Sequence, residues 1–440
     1  MKRAIVLAGG GAKGAYQFGF WRAIRELGID YQIVTGSSVG ALNGALMASG
    51  LYDRGLEMWN TITTTDIIET HPSRLSEVIS TDHIASSLKS FLGDLGENAV
   101  SVRMDPFPLG GLIGKYLDEK LLRESGVDFG IMVSEYPSMK IHPVTLNEIP
   151  YGMLRDYLLA SSTVYPSMDP KEIAGKKYVD GGYSDNFPVN LALDMGAEDI
   201  IGVNLRASGI EAKYETDYPV RVIRPWFDLG PMMEFVPEIA KRDLDLGYND
   251  TMKSFGVFDG ASYTFEKGEN DKMQSEFVNY CSDMLVKCGA VAISEKDTFL
   301  KSLAVKGLCE KRKQRLGLMH QKLAVICAET AAEIFCVDPT AVYTGESMGK
   351  AILDAFAPFE SKENNPMAAV FSTAKPLNYK LGQISPIDKR DIIAYLTVLW
   401  QNLATDPNPN RDLRTLCRFI PQEFFASLYI SFLKIKGEQK

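Results

Sequence analysis

"YQIVTGSSVGALNGALMASG", residues 31–50, decides the fold. An apolar run is followed by a glycine- and serine-rich turn and then by a helix-forming stretch. Gly36, Ser38 and Gly40 satisfy G-x-S-x-G. Between a strand and a helix, that spacing seats the serine on a tight, strained turn with its hydroxyl above the sheet edge. The glycines at 36 and 40 suit such an elbow, because the backbone crowds on both sides of it. Ala41, Gly44, Ala45 and Ala48 then recur at i, i+3, i+4 and i+7, a small-residue stripe that lets the helix lie close to a sheet. The positive end of that helix falls at the serine, where it favours an anion. Ser37 is the rival nucleophile, but an elbow centred on Ser38 points it elsewhere.

Outward from the elbow, strand and helix patterns alternate through the first half of the chain. "RAIVLA", "YQIV", "FGIMVSEY", "KKYVD", "DIIGVNL" and "VRVIRP" read as strands. "KGAYQFGFWRAIRELG", with Phe20, Ala23 and Ile24 on one face, and "NLALDMG" read as helices. "KIHPVTL" is ambiguous, and residues 51–127 look largely helical, with an apolar loop at "DPFPLGGLIG", residues 105–114. Repeated β-α units predict an α/β fold, a mostly parallel central sheet flanked by helices. After about residue 260 helical periodicity takes over, with connecting loops at "SKENNP" and "TDPNPNRD". Two regions are expected: a domain over 1–260 and a helical C-terminal region over 261–440, compatible with a homo-oligomer interface, a lid or a regulatory role.

The 440 residues suffice for a large core, and a net charge of −9 argues against a general nucleic-acid-binding protein. No apolar window is long enough for a membrane span or a signal-peptide core, so a cytoplasmic location is expected. The six cysteines, Cys281, Cys288, Cys309, Cys327, Cys336 and Cys417, form no CxxC pair and read as buried free thiols, and no metal site is expected.

"LAGGGAKGAYQFG" follows the first strand, and Gly9, Gly11 and Gly14 satisfy G-x-G-x-x-G. A dinucleotide site would want an acid at the end of the second strand, where this chain runs into Thr35 and Gly36 instead. The better reading is an oxyanion hole over Gly9, Gly10, Gly11, Ala12, Lys13 and Gly14, whose amides converge at a helix start. A nucleotide-binding module on the same loop is the competing reading. Lys13 opposes the helix dipole; it is either a surface lysine or a charge near the oxyanion or an anionic headgroup.

A serine hydroxyl needs a base. The four histidines, His71, His83, His142 and His320, form no constellation. A carboxylate is the alternative, and "KKYVDGGYSDNFPV" sets Asp180 at the end of a strand, with Asp185 a weaker rival. A second G-x-S-x-G, "GESMG" at 345–349, lacks a good preceding strand, and no histidine follows Ser347.

"GGGAKG", "GSSVG" and "DGG" together, in this order and these contexts, resemble the patatin-like phospholipases. "ASSTVYPSM", residues 160–168, is similar to the family's segment ahead of the aspartate, and "DLDLGYNDTMKSF" to a helix that often follows. The likeness spans about residues 4–205, with Lys13 where arginine is commoner, and it does not reach the C-terminal region. It implies that Ser38 attacks an ester carbonyl, that Asp180 takes its proton, and that amides of Gly10, Gly11 and Ala12 hold the oxyanion. It also implies a lipid substrate, with no metal or organic cofactor; with no membrane span and no polybasic cluster in the sequence, contact with the membrane is expected to be peripheral. A transacylase with the same dyad is the alternative outcome.

Overall fold

The computed structural model describes residues 1–67, 69–72, 102–288, 322–360, 366–372, 387–405, 416 and 420–438. The chain divides into two compact units, Met1–Ser254 and Phe255–Lys440.

In the first unit, apolar strands assemble an eight-stranded sheet. Its members are β1 (Arg3–Leu7), β2 (Ile33–Ser37), β5 (Asp128–Tyr136), β6 (Lys140–Thr145), β7 (Lys171–Ile173), β8 (Lys176–Asp180), β9 (Asp199–Val203) and β10 (Val220–Ile223). The order is β10-β9-β1-β2-β5-β8-β7, with β6 also on β5. The run from β10 to β5 is parallel, whereas β6, β7 and β8 join antiparallel. A two-stranded ribbon, β3 (Glu69–Pro72) with β4 (Val102–Asp105), stands apart from this sheet.

Helices cover both faces of the parallel strands, which is why these read as continuous apolar runs. The unit's helices are α1 (Ala15–Glu26), α2 (Val39–Ala48), α3 (Tyr52–Thr61), α4 (Phe107–Tyr116), α5 (Glu119–Glu124), α6 (Leu154–Ser161), α7 (Val189–Asp194) and α8 (Pro237–Ser254). On one face Ala4, Val6 and Ala8 pack with Phe187, Val189 and Ala192. On the other, α2 lies so close that a Cβ on Gly44 would sit 3.1 Å from Val34 and 3.2 Å from Phe129. The small-residue stripe of α2 therefore faces the sheet. α1 and α8 cross with their backbones nearly touching at Gly19 and Gly247. The Tyr16 hydroxyl, on α1, donates to Asp250 of α8 at 2.7 Å.

Residues 105–114 correct one expectation, since α4 replaces the loop predicted there. Asp105 Oδ1 accepts the Phe107 N–H (2.8 Å), satisfying a donor at the helix start. Pro108 is tolerated in the first turn. Leu109, Ile113 and Tyr116 then bury one face at i, i+4 and i+7. Three glycines weaken a helix by about 1 kcal/mol each relative to alanine, and burial of that face offsets them.

The second unit is helical: α9 (Glu269–Lys287), α10 (Leu323–Ile334), α11 (Gly345–Glu360), α12 (Pro366–Ser372), α13 (Lys389–Thr405) and α14 (Pro421–Glu438), with the two-residue parallel strands β11 (Thr264–Phe265) and β12 (Val342–Tyr343). Trp400 of α13 meets Phe424 of α14 edge-on at 5.0 Å and donates to Ser427 Oγ at 3.0 Å. Phe277 of α9 packs on Tyr429 of α14 at 5.2 Å. The buried Glu329 carboxylate is satisfied by the amides of Ala261 (2.7 Å) and Tyr263 (3.3 Å). Cys281, Cys288 and Cys327 are buried free thiols, but Cys336 is exposed. The turn after α10 carries Cys336 outward at φ 54°. No helix among the described residues is long and apolar enough to cross a membrane. His83, His320, Cys309, Cys417 and most of the loops expected at 361–366 and 405–412 lie outside the described residues.

Candidate active site

β2 runs into α2 through Ser38, whose φ of 52° and ψ of −127° put a non-glycine residue in a strained conformation. The flanking glycines permit it. A Cβ on Gly36 would fall 2.2 Å from Gly40 O, and one on Gly40 would fall 2.2 Å from Leu7 O. The strain is held from outside, because Ser38 N–H donates to Ser161 Oγ (2.9 Å), which donates in turn to Met132 O (2.7 Å). Ser37 is fully buried, and its hydroxyl forms no hydrogen bond among the described residues.

Asp180 ends β8, two places across the sheet from β2. Ser37 pairs with Met132 and Asp180 with Val133, so the two strand ends flank adjacent residues of β5. Their backbones are thus separated by about 10 Å, two strand spacings. Asp180 Oδ1 accepts the Gly182 N–H (2.7 Å). Oδ2 is buried and forms no hydrogen bond among the described residues. Burial raises the carboxyl to about 7, and the Ser38 hydroxyl and the Gly182 amide pull it back. Ser38 therefore acts on the carboxyl without forming a hydrogen bond of ordinary geometry to it among the described residues. Asp185 has another job. It is raised to about 6 by burial, and Oδ1 accepts the amides of Phe187 (3.2 Å) and Ala212 (3.2 Å), tying two loops.

The glycine-rich loop lies against the elbow, since β1 and β2 pair in parallel. A Cβ on Gly9 would be 3.0 Å from Ser38 Cβ. Gly11 must be glycine, having φ +57° and no room before Met232 O, 2.1 Å from where a Cβ would be. Several of its amides are already engaged: Gly9 N–H with Asn186 O (3.1 Å), Ala12 N–H with Met232 O (2.7 Å) and Lys13 N–H with Gly10 O (3.2 Å). The amides of Gly10 and Gly11 have no such partner among the described residues. Lys13 is not a surface lysine. It is buried, and its charge lowers the carboxyl of buried Asp243 on α8, which burial itself raises to about 8. Gly14 opens the stretch into α1, and its carbonyl accepts from Asn43 Nδ2 (3.0 Å).

Ser38 lies in the wall of a pocket with about 850 Å³ of empty space, its open mouth included. Val39, Leu46, Trp59, Leu109, Ile113 and Met232 are among the residues that make it apolar. Asn43 also lines it, but is committed to the protein: Nδ2 also donates to Gln17 Oε1 (2.8 Å), and Oδ1 accepts from Trp59 Nε1 (3.2 Å).

His142 is on β6, with Nδ1 3.4 Å from Glu135. Ser347 sits in the first turn of α11, its hydroxyl bonded to the Thr344 N–H (2.9 Å), so the second G-x-S-x-G caps a helix. Residues the sequence reading missed are Ser161 and Met232. Ser161 lies in the 160–168 segment, but neither a serine's hold on another residue's amide nor a carbonyl packed behind a glycine turn can be read from the sequence.

The patatin-like phospholipase family model matches residues 5–193. Lysophospholipase NTE1 of Mycosarcoma maydis is 30% identical over 208 residues, covering 47% of this chain and 10% of its own length. Patatin-like phospholipase domain-containing protein 6 of Homo sapiens is 27% identical over 282 residues, covering 59% of this chain and 18% of its own. The chain thus spans between a tenth and a fifth of the length of these curated relatives. The crystal structure of VipD from Legionella pneumophila is similar over 97% of this chain and 91% of that one, at a TM-score of 0.38 and 14% identity, a likeness too weak to build on. Over residues 5–193, this chain is similar to the patatin-like phospholipases.

Proposed function

We propose that the protein is a lipid acyl hydrolase, an esterase of the phospholipase or lysophospholipase type, acting through a Ser38–Asp180 dyad and an acyl-enzyme. The observation that carries this reading is a buried carboxyl, raised to about 7, beside a strained serine that opens on an apolar pocket. Names of the relatives, lysophospholipase and patatin-like phospholipase, point to the same class.

As a carboxylate, Asp180 takes the Ser38 proton while Oγ attacks the ester carbonyl. The amides of Gly10 and Gly11 hold the resulting oxyanion, supported by the positive end of α2. Ala12 could join them only by giving up Met232 O. Collapse of the intermediate transfers the proton from Asp180 to the leaving alcohol. Water, deprotonated by Asp180, then attacks the acyl-enzyme, and the proton passes from Asp180 to Ser38 Oγ as the fatty acid leaves. The apolar pocket takes the acyl chain.

A fluorophosphonate probe on the full chain tests this. It should label Ser38. Ser38→Ala should abolish labelling and lower turnover by on the order of a million-fold, as for other serine hydrolases that lose the nucleophile. Ser37→Ala and Ser347→Ala should keep most of both. Labelling that survives in Ser38→Ala would overturn the assignment.

A further inference from the structure

Three consecutive residues at the C-terminal end of α6 hold the two halves of the site together. Ser161 Oγ accepts the Ser38 N–H (2.9 Å), and Thr163 O accepts the Asp180 N–H (3.0 Å). Ser162 stands between these anchors. It lines the pocket that holds Ser38 and is 8% exposed. Its neighbours' hydroxyls are spent on backbone carbonyls, Ser161 on Met132 O (2.7 Å) and Thr163 on Leu159 O (2.8 Å). The Ser162 hydroxyl is buried and forms no hydrogen bond among the described residues. Asn43, which also lines the pocket, is fully engaged with the protein, Trp59 Nε1 included, and Tyr116 brings a further hydroxyl to the lining. A buried hydroxyl without a partner weakens the folded state, and a methyl group in its place would be neutral or stabilising. Such a group explains itself when a ligand supplies the missing partner.

We propose that Ser162 is a specificity-determining residue that touches substrate, donating a hydrogen bond to an oxygen of the hydroxyl or ester group that the lipid carries on the carbon next to the scissile ester. The inference rests on the lipid acyl hydrolase reading. Two sources bring that oxygen: the free hydroxyl of a lysophospholipid and the second ester carbonyl of a diacyl phospholipid. A p-nitrophenyl ester of the same fatty acid has neither.

The experiment compares wild type, Ser162→Ala and Ser162→Thr in the full chain, measuring kcat/KM on these three substrates and the melting temperature. Ser162→Ala should lose about tenfold or more on an oxygen-bearing lipid, the worth of one ordinary hydrogen bond. It should stay within about twofold of wild type on the p-nitrophenyl ester. Its melting temperature should be equal or higher, which a structural hydroxyl would not allow. Ser162→Thr, which keeps the donor, should recover most of the lipid activity. Loss on the lysophospholipid alone identifies the free hydroxyl as acceptor, and loss on the diacyl lipid alone identifies the carbonyl. Equal loss on all three substrates, no loss on any, or a lower melting temperature in Ser162→Ala overturns the proposal. Wild type inert toward all three would overturn the hydrolase reading, and this inference with it.

Discussion

Burial holds the Asp180 carboxyl at about 7, with the Ser38 hydroxyl and the Gly182 amide pulling the other way. A base is useful only in its ionised form, so with Asp180 as the proposed base this value would set the acid limb of the pH profile. kcat/KM on a soluble ester should rise about tenfold per pH unit below 7 and level off above it. An ordinary exposed aspartate, titrating near 3.9, would leave the profile flat across that range. Asp180→Asn keeps the shape but cannot take a proton, and should remove activity while the far-ultraviolet circular dichroism stays unchanged. His142→Gln should leave both rate and profile in place. A limb near pH 4, or loss of activity in the histidine variant instead, would move the base elsewhere.

At the scale of elements, α4 joins the pocket to the surface. Leu109 and Ile113 point into the pocket, while Phe107 at its start is 78% exposed. We propose Phe107, exposed on the helix that lines the pocket, as a contact with aggregated lipid. Phe107→Ser should lower hydrolysis of vesicle lipid by about tenfold, the scale of one inserted large apolar side chain. Hydrolysis of a short soluble ester should barely change, because that substrate needs only the dyad and the oxyanion donors. Leu112→Ser touches the pocket itself and should depress both rates. Equal loss on both substrates in Phe107→Ser would return α4 to a structural role.

On the scale of the whole molecule, buried carboxyls set how stability varies with pH. In the first unit Asp180, Asp185 and Asp243 are raised by burial to about 7, 6 and 8. An unfolded aspartate titrates near 3.9. Between roughly pH 4 and 8 the folded unit therefore binds more protons than the unfolded chain, and its stability falls as pH rises. Asp66 and Glu148, held low by hydrogen bonds to Thr63 and Thr145, act in the opposite sense only at more acidic pH. The urea midpoint followed by tryptophan fluorescence should be higher at pH 5.5 than at 8.5. Three of the four tryptophans, Trp21, Trp59 and Trp226, report on this unit. A midpoint that is flat or rises with pH would mean these carboxyls ionise freely.

What the sequence determined by itself was local. A strand, a turn short of Cβ atoms and a small-residue helix are specified by neighbours along the chain, so the elbow at Ser38 and the parallel β-α pattern were legible. So was the family resemblance, which rests on the same contiguous stretches. α4 was not, because three glycines and a proline outweigh helix propensity until Leu109, Ile113 and Tyr116 have something to pack against. Whether Lys13 was a surface lysine or a charge near the oxyanion stayed open in the sequence, because its burial near the Asp243 carboxyl depends on α8, more than 200 positions later. The relation between Ser38 and Asp180 is tertiary too. It depends on β8 joining β5 antiparallel, and no spacing between residues 38 and 180 encodes that register. Burial of the carboxyl, the commitment of Ala12 N–H to Met232 O and the lack of a partner for the Ser162 hydroxyl among the described residues likewise arise only when distant segments meet, since desolvation and hydrogen-bond partners belong to the packed chain.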